Sequence, residues 1–459
     1  MTALANLPVP CAPDGSRPSG AATGGILLVG GDDERDVADR LAPVLAAARA
    51  GQEPPSGQPG PESADAAVRV AVEYTDAREL AGKLTRLAIA LGSGAPAALR
   101  LLRQQGTYLL RGRLPKIAFL YPGQGAQYLN MLSGLATGEP VVRATLDEAD
   151  RVLTGLLGQP LTPTLFAEAT PPAGEDPFTR IEVTQPAVLA CDVALHRLLT
   201  GYGITPDMVM GHSFGEYAAL VTAGSMTFAH AIEFGTCRGI QLSDARDRGA
   251  MAAVCGDWLE IQGVVAAEPA GSVVVANINS TSQAVIGGTT AGVTRLVERF
   301  TATGMRCFPI PVSHAFHTPV VASASTSIRE SLRRLSVVPP RMPIVSNLTG
   351  EFYPPGCTTE TMVDMLGRHM ASPVQFVKGL HTLYDAGARV FVEVGPKKAL
   401  YGFVEDVLGR RHDDVVALFT NHPKLADHVA VNRALAGLYA AGVSAETVAR
   451  VEPLASCRD

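Results

Sequence analysis

Five residues near the middle of the chain, Gly211-His212-Ser213-Phe214-Gly215, match the pattern G-x-S-x-G. The apolar stretch before them, residues 208–210, predicts a strand, and residues 216–223 predict a helix after them. In this context the pattern predicts a sharp turn from strand to helix, with glycines where side chains would clash. Such a turn exposes the serine hydroxyl at a helix N-terminus, where backbone N–H groups can stabilise an oxyanion. Ser213 is therefore a candidate nucleophile.

A serine hydroxyl needs a base within hydrogen-bond reach to act as a nucleophile at neutral pH. The chain has ten histidines. His212 is adjacent to the serine in sequence and is expected to point away from its hydroxyl. His314 and His317 lie in a segment that follows a predicted strand and precedes a helix predicted near Pro319, so either could face the serine. The pattern alone does not choose between these two histidines.

A cation at position 238 is a third candidate. Arg238 lies on an apolar predicted helix, residues 228–242. A planar guanidinium binds a carboxylate through two parallel hydrogen bonds, so this arginine would suit an acyl group that carries a free acid. The residue is either at the rim or partly buried with a role, and its sequence context leaves both interpretations open.

These side chains must be positioned by alternating strands and helices. Apolar strands are predicted at residues 117–121, 208–210, 342–346 and 390–394. Their alternation with helices is typical of a parallel sheet covered on both faces. Between residues 249 and 311 the predicted order changes to β-α-β-β-α-β, which is that of a ferredoxin-like unit. This insertion separates Ser213 from His317 in sequence, so the cleft beside it would contain both.

Two regions precede this core. Residues 25–113 repeat a rhythm of strand and helix and predict a small α/β domain. Gly30-Gly31 follows its first strand, but the G-x-G-x-x-G spacing of dinucleotide sites is absent, so the pair predicts a plain turn. Residues 1–24 are rich in Pro, Gly, Ala and Ser, without a basic region that leads into an apolar run. We expect them to form a disordered tail and not a signal peptide.

The composition argues against several classes of function. The net charge of −6 argues against nucleic acid as a partner. No stretch reaches the roughly 18 to 20 apolar residues that span a bilayer, so no membrane partner is expected. The seven cysteines are scattered and have no C-x-x-C spacing. This argues against the usual zinc ligand patterns and against a disulfide framework, so we expect no metal site. A reducing, cytoplasmic location is the simplest expectation.

Five separated motifs occur in a characteristic order. They are Tyr121–Gln127 (YPGQGAQ), Thr184–Ala187 (TQPA), Gly211–Glu216 (GHSFGE), His314–His317 (HAFH) and Glu393–Pro396 (EVGP). In this order they resemble the motifs of malonyl-CoA:acyl-carrier-protein transacylases. The chain is most similar to the acyltransferase domain of a type I polyketide synthase. Residues 127–131 also show a weaker similarity to iterative synthases of the enediyne or polyunsaturated-fatty-acid type.

The resemblance implies an organisation of the whole chain. The implied fold is α/β, with a hydrolase-like parallel-sheet core and an inserted ferredoxin-like subdomain, preceded by a small α/β linker domain. The large subdomain would comprise residues 114–248 and 312–418, and the small subdomain residues 249–311. Residues 25–113 would be the linker between a ketosynthase and the acyltransferase, and residues 419–459 a linker after the acyltransferase.

Carried over residue by residue, the resemblance also implies roles. Ser213 would be acylated and His317 would be its base, in a Ser-His dyad that has no acidic third member. Arg238 would bind the carboxylate of the acyl group. The backbone carbonyl of Gln375 would orient the histidine, and Gln375 and His212 would complete the substrate-binding set.

Two further groups of residues follow from the same motifs. The backbone N–H groups of Gln124 and Phe214 would form the oxyanion hole. His314 and Phe316 occupy the position that accompanies selectivity, and HAFH is the pattern of malonyl-selective domains. A bulky Phe316 and a bulky Phe214 would both reduce the room for an α-methyl group. Because one methyl group is worth about 1–3 kcal/mol in a pocket, this implies a preference and not an absolute exclusion.

The implied reaction is a ping-pong transfer of a malonyl unit from malonyl-CoA to the phosphopantetheine arm of an acyl carrier protein, in polyketide and antibiotic biosynthesis. The implied partners are malonyl-CoA, the acyl carrier protein and a neighbouring ketosynthase domain. The coenzyme A thioester is a substrate, and no bound cofactor is expected. The alternative is a serine hydrolase or thioesterase of the G-x-S-x-G type, although the Ser, acid, His order of α/β-hydrolases is not evident. A docking module would explain only residues 25–113.

Overall fold

A computed structural model describes residues 4–7, 25–54, 66–93, 96–112, 116–166, 177–243, 248–269, 271–312 and 314–443. Within these ranges the strands form three separate sheets, one of five strands and two of four. No helix in the same ranges is both long enough and apolar enough to cross a membrane.

Thirteen strands lie within the described residues. They are β1 Leu4–Leu7, β2 Gly25–Gly31, β3 Val68–Tyr74, β4 Thr107–Arg111, β5 Lys116–Tyr121, β6 Met208–Gly211, β7 Ala250–Cys255, β8 Val273–Ser280, β9 Gln283–Gly288, β10 Arg306–Pro309, β11 Ile344–Val345, β12 Ala388–Glu393 and β13 Val416–Phe419.

The α-helices of the described residues alternate with these strands. They are α1 Glu34–Arg49, α2 Ala77–Ser93, α3 Pro96–Gln104, α4 Ser133–Gly138, α5 Pro140–Leu157, α6 Thr162–Leu165, α7 Ile181–Gly201, α8 Glu216–Thr222, α9 Phe228–Ser243, α10 Trp258–Ala266, α11 Thr290–Ala302, α12 Ser325–Arg334, α13 Thr359–His369, α14 Phe376–Asp385, α15 Ala399–Val404 and α16 Asp427–Ala440. Short 3₁₀ turns occur at Pro177–Thr179, Ser213–Gly215 and Pro319–Ala324, and a π-helical turn at Glu405–Gly409.

The five-stranded sheet has the order β11-β6-β5-β12-β13, and every neighbouring pair is parallel. Alternate residues of β5 pack into two different apolar clusters. Phe119 and Tyr121 belong to one, whereas Ala118 and Leu120 belong to the other. Because successive side chains of a strand point to opposite faces, both faces of this sheet are buried. The predicted α/β class with a parallel sheet is confirmed.

The segment between β6 and β11 contains a second sheet, of order β10-β7-β9-β8, in which every neighbouring pair is antiparallel. Helices α10 and α11 pack on it through buried residues such as Ile261 and Leu296. The elements follow the β-α-β-β-α-β order expected from the sequence. Numbered within the unit, the sheet order is 4-1-3-2, so its first and third strands lie at the centre.

Strand β8 and the turn after it connect this small sheet to segments that flank the large sheet. The backbone of Val374 accepts from Ile278 N–H at 3.0 Å and donates to Ala276 O at 2.9 Å. The Asp406 carboxylate accepts from the Thr281 hydroxyl at 2.7 Å and from Ser282 N–H at 3.1 Å. These contacts hold the β8–β9 hairpin against the larger part of the fold.

The N-terminal unit is a four-stranded antiparallel sheet of order β1-β2-β3-β4. Residues 1–24 were expected to be a disordered tail, but Leu4–Leu7 pair with β2, which corrects that expectation for these four residues. An isolated β2 would expose one edge, and the short strand covers it. The rest of residues 1–24 lies outside the described residues.

Helix α16 packs against this N-terminal sheet. Glu73 on β3 is buried and receives Lys83 Nζ at 2.9 Å and Arg433 Nε at 3.0 Å, so the last helix is ion-paired to the first unit. Arg69 Nε also donates to Ala440 O at 3.1 Å. The segment predicted to follow the acyltransferase therefore contacts the N-terminal unit at Arg433 and Ala440, and residues 444–459 lie outside the described residues.

The turn that bears Ser213 depends on close approaches between backbones. Strand β6 ends at Gly211, and Ser213 takes a left-handed backbone conformation with φ 54° before α8 begins. A Cβ on Gly215 would lie 2.1 Å from Tyr121 O, and one on Gly123 would lie 2.4 Å from His212 O. Only glycine permits these approaches, so the turn after β5 packs directly against the serine turn.

Gly215→Ala tests this packing. We expect the substitution to lower the free energy of unfolding by about 2–3 kcal/mol, because its methyl group would meet a backbone carbonyl that cannot move aside. Gly155→Ala on α5 is the matched control, since its added Cβ would meet nothing within 4 Å. It should raise stability by about 0.5–1 kcal/mol, as expected for alanine in a helix. Urea denaturation measures the free energy of unfolding of both variants. Equal effects of the two substitutions would contradict this account of the turn.

Candidate active site

The structure brings Ser213 and His317 together. The serine Oγ lies 2.6 Å from His317 Nε2, although the residues are 104 positions apart. Ser213 stands at the end of β6, and His317 in the segment between β10 and the 3₁₀ turn at Pro319–Ala324. His314, the other candidate, is buried with its ring 6.0 Å from that of Phe316. Of the two candidates, His317 is the one found within hydrogen-bond distance of the serine hydroxyl, and its role as the base stays a prediction.

The surroundings of His317 define its tautomer. Its Nδ1 lies 3.1 Å from the backbone oxygen of His369. A carbonyl oxygen only accepts hydrogen bonds, so Nδ1 carries the proton and Nε2 is free to accept from the serine hydroxyl. Burial lowers the pKa of His317 to about 3, although the bond to His369 opposes this shift. The imidazole is therefore a neutral base directed at the serine.

The expected role of Gln375 is corrected by this contact, because the carbonyl that orients His317 belongs to His369. His369 is the last residue of α13, where carbonyls have no partner within the helix. Gln375 instead precedes α14 and donates its backbone N–H to Asn347 O at 2.9 Å. The motif around Gln375 therefore lies close to the site, but six residues away from the group that performs this task.

Two backbone N–H groups near the serine turn were predicted to form an oxyanion hole. Within the described ranges, the N–H groups of Gln124 and Phe214 have no hydrogen-bond acceptor, whereas Ser213 N–H donates to Asn347 Oδ1 at 2.8 Å. A Cβ on Gly123 would lie 3.1 Å from the nitrogen of Phe214, which shows how closely the two loops approach. Unpaired donors in such a turn are suited to an oxyanion.

Arg238 is a buried cation beside these groups. Its side chain on α9 is 5% exposed, and one terminal nitrogen contacts Met370 Sδ at 3.0 Å. Its Nε has no hydrogen-bond partner, and no carboxylate of the described residues forms an ion pair with it. The guanidinium carbon lies 5.4 Å from the ring centre of Phe214 and 5.8 Å from that of Phe316. Burial lowers the pKa of this arginine.

A buried guanidinium without a counter-charge costs several kcal/mol of desolvation. Arg238 lies near two aromatic rings without a counter-charge among the described residues, and its part in binding an anion stays a prediction. Of the two interpretations that the sequence left open, the structure shows that Arg238 is buried and not at the rim, and its carboxylate-binding role stays a prediction.

The remaining predicted residues divide into two groups. His212 Nε2 lies 2.7 Å from Asn279 Oδ1, and its ring packs on Phe376, so this side chain faces the small subdomain and not the serine hydroxyl. Its part in substrate binding stays a prediction. Phe316 lies beside Arg238, and His314 lies just before it in the chain. Their part in selectivity also stays a prediction.

Sequence reasoning missed a buried group of polar residues behind the serine: Glu216, Asn347, Tyr353 and His369. One signal could have identified Asn347. It follows β11, which is parallel to β6, and residues after neighbouring parallel strands meet at the same edge of a sheet. Among the described residues, no group of three or more His, Cys, Asp or Glu side chains could hold a metal ion.

Comparison with known proteins places this chain in a family. The family model for the acyl transferase domain matches residues 118–444, which is most of the chain. The chain belongs to the acyl transferase domain family. The N-terminal unit with its strands β1 to β4 lies before the match.

Individual relatives agree with this assignment. The malonyl CoA-acyl carrier protein transacylase of Bacillus subtilis is 33% identical over 300 residues, which are 64% of this chain and 91% of that protein. The spectinabilin polyketide synthase system protein NorB of Streptomyces orinoci is 37% identical over 298 residues, again 64% of this chain. That match spans only 13% of the Streptomyces protein's length.

A solved structure is similar over nearly the whole acyltransferase. It is the acyl transferase domain of SpnD in complex with 2-(pent-4-yn-1-yl)malonyl, which is 27% identical, with a TM-score of 0.73. The similarity covers 92% of this chain and 97% of the other, so it includes more than the region matched by the family model.

The protonation of His317 in this acyltransferase can be measured directly. Because its pKa is lowered to about 3, the imidazole should stay neutral, with its proton on Nδ1, from pH 8 down to about pH 5. Nitrogen NMR of protein with ¹⁵N-labelled histidine shows the tautomer, and loss of one signal pair in His317→Gln assigns it. A transition of that signal near the ordinary histidine pKa of about 6.5 would contradict the inferred burial.

Proposed function

We propose that the acyltransferase transfers a malonyl group from malonyl-CoA to the phosphopantetheine arm of an acyl carrier protein, through an ester on Ser213, in polyketide biosynthesis. The observation that carries this proposal is the pairing of Ser213 with His317 at 2.6 Å beside Arg238, a buried cation that has no carboxylate partner among the described residues. The names of the Bacillus and Streptomyces relatives support the substrate class and the biosynthetic context.

The first half-reaction forms the ester. His317 Nε2 takes the proton of Ser213 as Oγ attacks the thioester carbonyl, and the carbonyl oxygen becomes negatively charged. The N–H groups of Gln124 and Phe214 donate to that oxygen. When the intermediate collapses, the C–S bond breaks and the proton on His317 passes to the sulfur, so that coenzyme A leaves as a thiol.

The second half-reaction reverses these roles. The carrier's phosphopantetheine thiol gives its proton to His317 and attacks the serine ester. Collapse of the second intermediate breaks the bond between carbonyl carbon and serine oxygen, and the proton returns to Ser213. The dyad needs no acidic third member, since the carbonyl of His369 already orients the imidazole.

Arg238 gives the proposal its substrate class. The malonyl carboxylate would bind the guanidinium through charge-assisted hydrogen bonds and supply the missing counter-charge. Phe214 and Phe316 flank that position and restrict the space near the α-carbon. Such a restriction would favour malonyl over methylmalonyl by about 1–3 kcal/mol.

The N-terminal unit has a place in the same proposal. Strands β1 to β4 form a separate sheet, which is ion-paired to α16 through Glu73 and Arg433. We assign this unit to the contact with a neighbouring ketosynthase domain. A rigid connection through α16 would then fix the distance between the two catalytic domains.

Ser213→Ala tests the nucleophile. After incubation with malonyl-CoA, intact-protein mass spectrometry of the wild type should show the mass of one added malonyl group, and Ser213→Ala should show none. Ser272→Ala is the control, because that hydroxyl only caps a turn at Pro269 in the small subdomain. An ester that persists in Ser213→Ala would refute the assignment. Release of free malonate without loading of a carrier would support the hydrolase alternative.

Arg238→Ala tests the substrate class. Loss of the carboxylate partner should lower kcat/KM for malonyl-CoA by about 10²-fold or more, as expected when charge-assisted hydrogen bonds worth about 1.5–3 kcal/mol each are removed. Acetyl-CoA has no carboxylate, so its rate should fall little or rise. The comparison of the two thioesters on one variant separates this role from a general loss of structure. Equal losses for both would contradict it.

A further inference from the structure

A buried carboxyl lies behind the dyad, and the proposed mechanism does not use it. We propose that Glu216 is the positioning residue of this site, which holds Ser213 through Asn347 and His317 through His369. The inference rests on the proposed function and adds to it. Glu216 touches neither the hydroxyl nor the imidazole of the dyad, so it would act on the reaction only by fixing the two segments that carry them.

The first connection leads to the nucleophile. Glu216 Oε2 accepts from Asn347 N–H at 3.1 Å. The Asn347 side chain then spans the serine turn, because its Oδ1 accepts from Ser213 N–H at 2.8 Å and its Nδ2 donates to Gly211 O at 2.7 Å. Ser213 has φ 54°, a conformation that is uncommon for a residue with a side chain and needs support from its surroundings. Asn347 provides this support on both sides of the serine.

The second connection leads to the base. The His369 imidazole Nδ1 lies 3.4 Å from the same Oε2 of Glu216. The backbone oxygen of His369 accepts from His317 Nδ1, and the next residue, Met370, accepts from His317 N–H at 2.9 Å. Two consecutive carbonyls therefore fix His317, and the side chain of the first contacts Glu216. Burial holds the pKa of His369 well below its usual range, so the contact joins a neutral imidazole to the carboxyl.

A third contact holds the carboxyl itself. Tyr353 donates its hydroxyl to Glu216 Oε1 at 2.7 Å, and Glu216 is fully buried. No lysine or arginine of the described residues pairs with it. Burial raises the pKa of Glu216 to about 7, against the hydrogen bonds from Tyr353 and Asn347. A buried carboxyl without a cation is costly, and it persists where its hydrogen bonds are all satisfied or where it serves the site.

Substitution of Glu216 should slow chemistry without weakening substrate binding. In Glu216→Ala both halves of the dyad lose their common anchor, and we expect kcat for acylation of Ser213 to fall by about 10²-fold, as when reacting groups shift by about 1 Å. KM for malonyl-CoA should change little, because Arg238 and the aromatic rings are not touched. Glu216→Gln keeps the volume and one acceptor oxygen, so its loss should be smaller, about 10-fold, and it remains testable if Glu216→Ala does not fold.

A mutant cycle separates the two connections. Asn347→Ala should disturb the serine and His369→Ala the histidine. If both act through Glu216, adding either substitution to Glu216→Ala should cost little more than Glu216→Ala alone, whereas independent effects would multiply. Asn347→Ala and His369→Ala together should approach the rate of Glu216→Ala. Rapid-quench mass spectrometry of the serine ester gives the rate of the first half-reaction for each variant.

Glu73→Gln is the matched control. Glu73 is also buried and polar-bonded, but it lies in the N-terminal unit, so its loss should lower stability while kcat is kept. A folded Glu216→Ala or Glu216→Gln protein with wild-type kcat would overturn the inference, and so would a change confined to KM. If the wild type itself forms no ester on Ser213, the proposed function fails instead, which keeps the two conclusions separate.

Discussion

The contact between Ser213 and His317 joins two segments that are 104 residues apart in sequence, so local interactions alone do not bring them together. The serine lies in the sharp turn after β6 of the parallel sheet. The histidine follows the antiparallel subdomain in the sequence. Both residues have a left-handed backbone, with φ 54° at Ser213 and 61° at His317. Such conformations cost of order 1–3 kcal/mol each and persist only where the surrounding structure imposes them. The contact between Ser213 and His317 therefore depends on the packing of the segments around both residues.

Buried polar groups fix the positions of these side chains, although their burial costs free energy of folding. Arg238, His317 and Glu216 are all within a few per cent of full burial. The charged form of each side chain loses hydration when it is buried. Burial therefore lowers the pKa of Arg238 and His317 and raises the pKa of Glu216. Sites of this kind exchange stability for preorganisation, because the groups that stabilise a transition state must be in place before the substrate arrives. The apolar clusters on both faces of the sheet stabilise the fold and offset the free energy lost by burying these polar groups.

Much of this could be predicted from local patterns. The serine turn, the insertion and its element order depend on periodicity and on glycine positions, which are properties of neighbouring residues. The pairing of Leu4–Leu7 with β2 could not be predicted from local patterns, because a short strand at a sheet edge is defined by its partner. The wrong assignment of the orienting carbonyl to Gln375, when it belongs to His369, has a similar cause. Which carbonyl is free depends on where α13 ends, and helix ends are not fixed to one residue by sequence.

The position of Arg238 also bears on why an acyl group should pass to a thiol and not to water. A serine ester beside a neutral imidazole is open to any nucleophile that reaches it. Two aromatic rings lie near the guanidinium, and the malonyl carboxylate of the proposed ester would bind at that position. The ester would then lie in a site whose charge is compensated and whose walls are apolar. A long phosphopantetheine thiol can enter such a site by binding along the cleft, whereas a water molecule gains no comparable binding energy there.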